Sequence, residues 1–218
     1  MYDHDKPDLN ELAHYGVLGM KWGVRKARYE DSNASGITIK KGQTINRIAS
    51  AGDEKQSGMK YAAYEKEDVD NYEMLLGGSG KFNFTYKATT NLVSPNEKRQ
   101  VDAFLETVNE MSVSKAASIL KTKSKLSSLK GIEKELDKAL EGNDKSKVKT
   151  YDKFMDLLYA KELEPLRTQY FNKLSKEGYN MIIDSSDKGA VSNNPIIIFN
   201  GSKSLSFISK KEIEDVFE

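Results

Sequence analysis

Cysteine is absent from this 218-residue chain. Its absence excludes disulfides, thiolate metal sites and cysteine nucleophiles. Histidine occurs only twice and tryptophan once. Two histidines in poorly matched surroundings do not make a zinc set, so no metal is expected. No apolar run approaches the ~20 residues of a membrane span, so no membrane partner is expected either. Charge of one sign is also lacking: 34 basic residues face 33 acidic ones, for a net charge of +1. Without a one-signed field, nucleic acid is not the expected partner. The chain begins acidic, with Asp3, Asp5, Asp8 and Glu11, whereas a secretory signal begins basic; export by a signal peptide is not expected, and a reducing cytoplasm is.

What is present suits one domain, or one domain with an arm and an insertion, and is long enough for a substantial core. Residues 1–13 are acidic and polar. Residues 26–35 are polar and end at Asn33-Ala34-Ser35-Gly36, a boundary signal. The expected organisation is an arm over 1–35 and an α+β domain over 36–218, with a helical insertion at about 95–177.

Within the domain, Ile37–Ile39 and Thr44–Ile48 alternate as strands around a turn at Lys41-Gly42-Gln43. By parity Arg47 shares a face with Ile45, and an inward arginine needs an anionic partner. Lys60–Tyr64 is a short strand. Asp68–Leu76 has helical spacing with Asp68 as its cap, and Gly77–Gly80 ends it. That glycine cluster lacks the Lys-Ser/Thr ending of a phosphate-binding loop and follows a helix where a strand is required. Phe82–Thr89 is the clearest half-buried strand. Ser94-Pro95-Asn96-Glu97 reads as a capping box, opening a helix to about Val108. Residues 112–176 are helical with few breaks, and their lysine-rich face, diluted by glutamates, reads as solvated. Met181–Asp184, Pro195–Phe199 and Leu205–Ile208 are strands, the middle one covered on both faces. Ser209–Glu212 resembles a helix cap. The class is α+β, with a small mixed or antiparallel sheet built from N- and C-terminal strands around a helical middle.

The densest use of rare residues lies at His14-Tyr15-Gly16-Val17-Leu18-Gly19-Met20-Lys21-Trp22-Gly23-Val24-Arg25. The glycines permit positive φ or close backbone approach. The apolar residues suit a turn that docks Trp22 into a groove, with its indole N–H on a partner. His14, Gly16, Gly19, Met20, Lys21, Trp22, Gly23 and Arg25 are therefore the candidate partner-binding residues. This string resembles a short motif of tailed-bacteriophage and prophage proteins, often encoded near head genes. The resemblance implies a phage origin, a place in or near the virion or in the bacterial cytoplasm, and a phage or host protein as partner.

A second resemblance concerns the body. The order of the Arg47 strand, Lys60–Tyr64, Gly178–Asp184, Pro195–Asn200 and Ser204-Leu205 is similar to the ADP-ribosyltransferase fold. It implies that Arg47 holds the phosphate or ribose of NAD, and that Tyr61 or Tyr64 stacks on nicotinamide. A late glutamate would steady an oxocarbenium-like transition state. The chain departs from that pattern: Asn193-Asn194-Pro195 occupies the expected glutamate position, and Tyr61-Ala62-Ala63 stands where serine-threonine-serine is expected. Asp184 and Asp187 are the nearest acids. Three functional expectations follow. The first is a virion-associated interaction protein with a non-catalytic body. The second is an NAD-dependent mono-ADP-ribosyltransferase acting on host proteins. The third is an inhibitor of host defence acting by binding alone.

Overall fold

The computed structural model describes residues 36–51, 58–78, 80–122, 131–184 and 192–214. The glycine–tryptophan stretch and Asp187 lie outside these residues. The fold is α+β. Strands β1 (Thr38–Ile39), β2 (Thr44–Ser50), β3 (Lys60–Ala62), β4 (Lys81–Ala88), β5 (Leu92–Val93), β6 (Met181–Ile183), β7 (Ile196–Ile198) and β8 (Leu205–Glu212) surround a run of helices. The helices are α1 (Lys66–Leu76), α2 (Glu97–Met111), α3 (Val113–Thr122), α4 (Ile132–Leu140), α5 (Asp144–Asp156), α6 (Glu164–Lys176) and the single turn α7 (Gly201–Ser204).

Two three-stranded antiparallel sheets carry the body, in the orders β2-β4-β8 and β3-β7-β6; β1 and β5 form a separate ribbon. Among the described residues the two sheets are hydrogen-bonded through one bridge, Asn46 with Ala63, whose backbone groups exchange two hydrogen bonds of 2.8 Å. Alternation along β6 and β7 explains the layering. Ile182 and Ile197 belong to the core of the helical lobe, while Met181, Ile196 and Ile198 pack with Ile45, Phe84 and Tyr86 of the other sheet. The β3-β7-β6 sheet thus has apolar cover on both faces, as its continuous apolar run predicts.

The helical lobe is a true core. Phe104, Tyr151, Phe154 and Tyr170 are buried together, with the Phe104 and Phe154 rings stacked at 4.7 Å between centroids. Each such buried side chain contributes about 1.5–3 kcal/mol by leaving water. The Tyr151 hydroxyl donates to Gln100 Oε1 at 3.0 Å, so this buried polar tip is satisfied. Helices α4 and α6 each end in a pair of backbone bonds around a left-handed glycine, Gly142 and Gly178. In the second, Tyr179 N bonds Leu174 O and Gly178 N bonds Ser175 O.

Three local expectations need correction. Asp68 does not cap α1, which begins two residues earlier behind Glu65. The α2 cap is Asn96, whose side chain accepts from Arg99 N at 2.8 Å, while Ser94 turns to the Pro95 carbonyl; the helix also continues to Met111. Finally, Ser209–Glu212 is strand, not a helix start. Pairing to β4 overrides the local cap signal: Lys210 lies opposite Phe84, and its ammonium sits 3.7 Å from the centre of the Phe82 ring.

Candidate functional site

Among the described residues β2 and β3 pair only at the Asn46–Ala63 bridge, and a cavity opens beside it. The residues that line it are Asn46, Arg47 and Ile48 of β2, Tyr61, Ala62 and Ala63 at β3, and Val69, Tyr72 and Leu76 of α1. Helix α1 roofs it, because Val69 and Tyr72 pack with Ile48 and Ala63. The cavity volume is about 10 Å³, room for roughly one water molecule.

Arg47 lies between the buried residues Ile45 and Ala49 along β2 and directly opposite Phe84, itself fully buried. The guanidinium Nε and Nη1 are buried and make no hydrogen bond. The Tyr61 and Tyr72 rings meet edge to face at 5.5 Å, and their hydroxyls are hydrogen-bonded to each other. Tyr61 also faces the ring of Tyr159, which ties the cavity wall to the helical lobe.

The structure therefore brings Arg47 and Tyr61 to one cavity, but not Tyr64. Tyr64 packs against the core between the sheets and its hydroxyl bonds Glu65. Burial and then the Glu65 charge push that phenol well above its usual range. Asp184 is 2% exposed; its amide donates to the Pro195 carbonyl, and its charge is felt at Tyr151 in the helical lobe. Among the described residues no carboxylate lines the Arg47 cavity.

One acid that the sequence reading treated as a cap has another role. The Asp68 carboxylate, fully buried, accepts from the backbone amides of Asn193 at 2.8 Å and Asn194 at 3.0 Å. Glu65 Oε1 accepts from the Asn194 side-chain amide at 3.1 Å. The segment at the expected glutamate position is thus held by Asp68 of α1 and by Glu65 just before that helix. No local pattern could have revealed this contact, since the partners are 125 residues apart.

A surface cluster joins α2 to α6. Arg99 pairs with Glu106 at 2.7 Å and with Glu177, and Lys173 pairs with Glu110 at 2.6 Å and Glu106 at 3.3 Å. The lysine-rich face farther along is also largely paired among the described residues: Lys121 with Glu133, and Lys138 and Lys149 with Glu135. Such pairing fits a solvated helical surface.

No helix among the described residues is long and apolar enough to cross a membrane. A sequence family described as a family of unknown function (DUF7211) matches residues 6–29, which enclose the glycine–tryptophan stretch. No curated protein and no solved structure matches the chain.

Proposed function

We propose that the chain is a phage-encoded, virion-associated interaction protein. Its N-terminal arm docks on a phage or host protein through the glycine–tryptophan stretch, and its α+β body is a non-catalytic relative of the ADP-ribosyltransferase fold. The observation that carries the non-catalytic part is the cavity at Arg47. A volume of about 10 Å³ takes one water-sized group and not a nicotinamide ring. Among the described residues no carboxylate lines it, so none stands there to steady a developing oxocarbenium charge. Asn194 stands where the glutamate is expected; its backbone amide donates to Asp68 and its side-chain amide to Glu65. The separate match of residues 6–29 to a family of their own supports the arm as an independent module.

The test is mass spectrometry of purified particles. Recovery of the protein in stoichiometric amounts, reduced by Trp22→Ala, is the expected result. Particles that contain none of it overturn the assignment.

A second reading, an active NAD-dependent mono-ADP-ribosyltransferase, is favoured by one observation: Arg47 and Tyr61, both singled out for NAD, line the same cavity. It requires the cavity to widen substantially and an acid to be recruited from elsewhere.

A further inference from the structure

Strand β8 ends the sheet order β2-β4-β8, and its residues from Ser206 to Glu212 are all exposed. Two backbone bonds fix which way its peptide groups point: Ser204 O accepts from Thr89 N at 2.9 Å, and Ile213 N donates to Lys81 O at 3.0 Å. The N–H and C=O of successive residues alternate between the two sides of a strand, and the register shift leaves Ile208 as the extra residue between Phe207 and Ser209. Leu205, Phe207, Lys210 and Glu212 therefore turn their N–H and C=O groups away from β4. The side chains of the first three lie on one face of the sheet. Leu205 packs with the core there, Phe207 meets the Tyr86 ring edge to face at 5.9 Å, and the Lys210 ammonium lies over the Phe82 ring. Charge on this edge is one-sided: β4 and β8 together carry Lys81, Lys87, Lys210 and Lys211 against the single acid Glu212.

We propose that β8 is a docking edge for an extended acidic segment of a partner protein, which adds to the sheet as a further strand. The outward N–H and C=O groups of Leu205, Phe207, Lys210 and Glu212 hold its main chain, and side chains on either face give selectivity. Phe207 takes an apolar side chain. Lys210 and Lys211 are adjacent, so by alternation they stand on opposite faces and take one carboxylate each. The occupant is not a second copy of this chain, because lysines and the register shift set such an edge against pairing with its own kind. A strand bearing carboxylates meets the same lysines favourably, so the feature that blocks self-pairing selects the partner. This surface belongs to the body and is separate from the glycine–tryptophan stretch. It goes beyond the docking proposed for the arm, and its failure leaves that reading untouched.

The experiment is amide hydrogen exchange, read by nuclear magnetic resonance on the ¹⁵N-labelled full chain. The probes are the blocked peptide acetyl-Thr-Val-Glu-Glu-Thr-Val-Thr-amide and its counterpart with lysine for both glutamates. Expected is saturable protection of the Phe207, Lys210 and Glu212 amides by the acidic peptide. The amides of Ser206, Ser209 and Lys211 face β4 and are expected to change little. The lysine peptide is expected to bind roughly tenfold more weakly, as two cross-strand pairs change from opposite to like charge. The double variant Lys210→Glu, Lys211→Glu is expected to reverse the preference, with amides of the helical lobe reporting that it is folded. No protection, equal protection by both peptides, or protection confined to other amides overturns the proposal. Protection that grows with protein concentration in the absence of peptide assigns the edge to a second copy. Protection already complete in the free chain at low concentration assigns it to another segment of the same chain. Either of these results also overturns the proposal.

Discussion

The Asp68 carboxylate receives the backbone amides of both Asn193 and Asn194. Helix α1 and the lead into β7, far apart in sequence, are joined by this one buried side chain. In Asp68→Asn the carboxamide offers an N–H where an acceptor is needed, leaving at least one of these amides without a partner. The expected loss is about 1–3 kcal/mol of stability, the cost of an unsatisfied buried donor. Urea denaturation measures it, and faster hydrogen exchange at Asn193 and Asn194 than in the helical lobe localises it.

The outer edge of β8 is long and exposed, and it shows Phe207 at 51% and Ile208 at 53% exposure. A register shift sits opposite Thr85 and Tyr86, and Lys210 and Lys211 follow. Bulges and lysines are the devices by which sheet edges resist pairing with other chains. The double variant Lys210→Val, Lys211→Thr removes the charges and is expected to self-associate with rising concentration in size-exclusion chromatography, while the parent does not.

Ser112 joins α2 to α3 at φ 82° and ψ 142°, a conformation that favours glycine. Ser112→Gly relieves strain worth on the order of 1–3 kcal/mol. It forfeits only a long 3.5 Å bond from Lys115 N and adds freedom to the unfolded chain. The net expectation is stabilisation by about 1 kcal/mol, read as a higher urea midpoint with an unchanged slope.

Hydrogen bonds from Arg99 hold the carboxyls of Glu106 and Glu177 below the usual glutamate range. Depressed folded-state values mean that this contribution is fully present above the unfolded value near ~4.3 and is lost as pH falls through the folded values. Both carboxylates are partly exposed, so solvent screening keeps the effect small. Arg99→Gln is expected to flatten the acid side of the stability–pH curve below about pH 5 and to leave its neutral region nearly level. Thermal melts between pH 3 and 7 check this.

Much of the fold was legible because its signals are local. The alternation of Phe82, Phe84 and Tyr86 sets the face of β4, and the Ile196–Ile198 run marks a strand covered on both sides. The parity of Arg47 with Ile45 placed it beside Phe84. What escaped the sequence depends on tertiary partners. Asp68 has a cap's chemistry but spends it on a distant loop. Ser209–Glu212 spells a helix start but gains more by completing the edge of β4. Of the candidate site, Arg47 and Tyr61 were singled out in the sequence and both line the cavity, whereas Tyr72 and Asn46 join them where two sheets come together under α1, a relation that no spacing encodes.

The most direct test of the central claim, that the body does not bind NAD, is calorimetric titration of NAD into the full chain with Arg47→Ala alongside. No saturable heat in either protein is the predicted result. Saturable binding that disappears in Arg47→Ala would contradict the account and make the cavity at Arg47 the entrance to an NAD site.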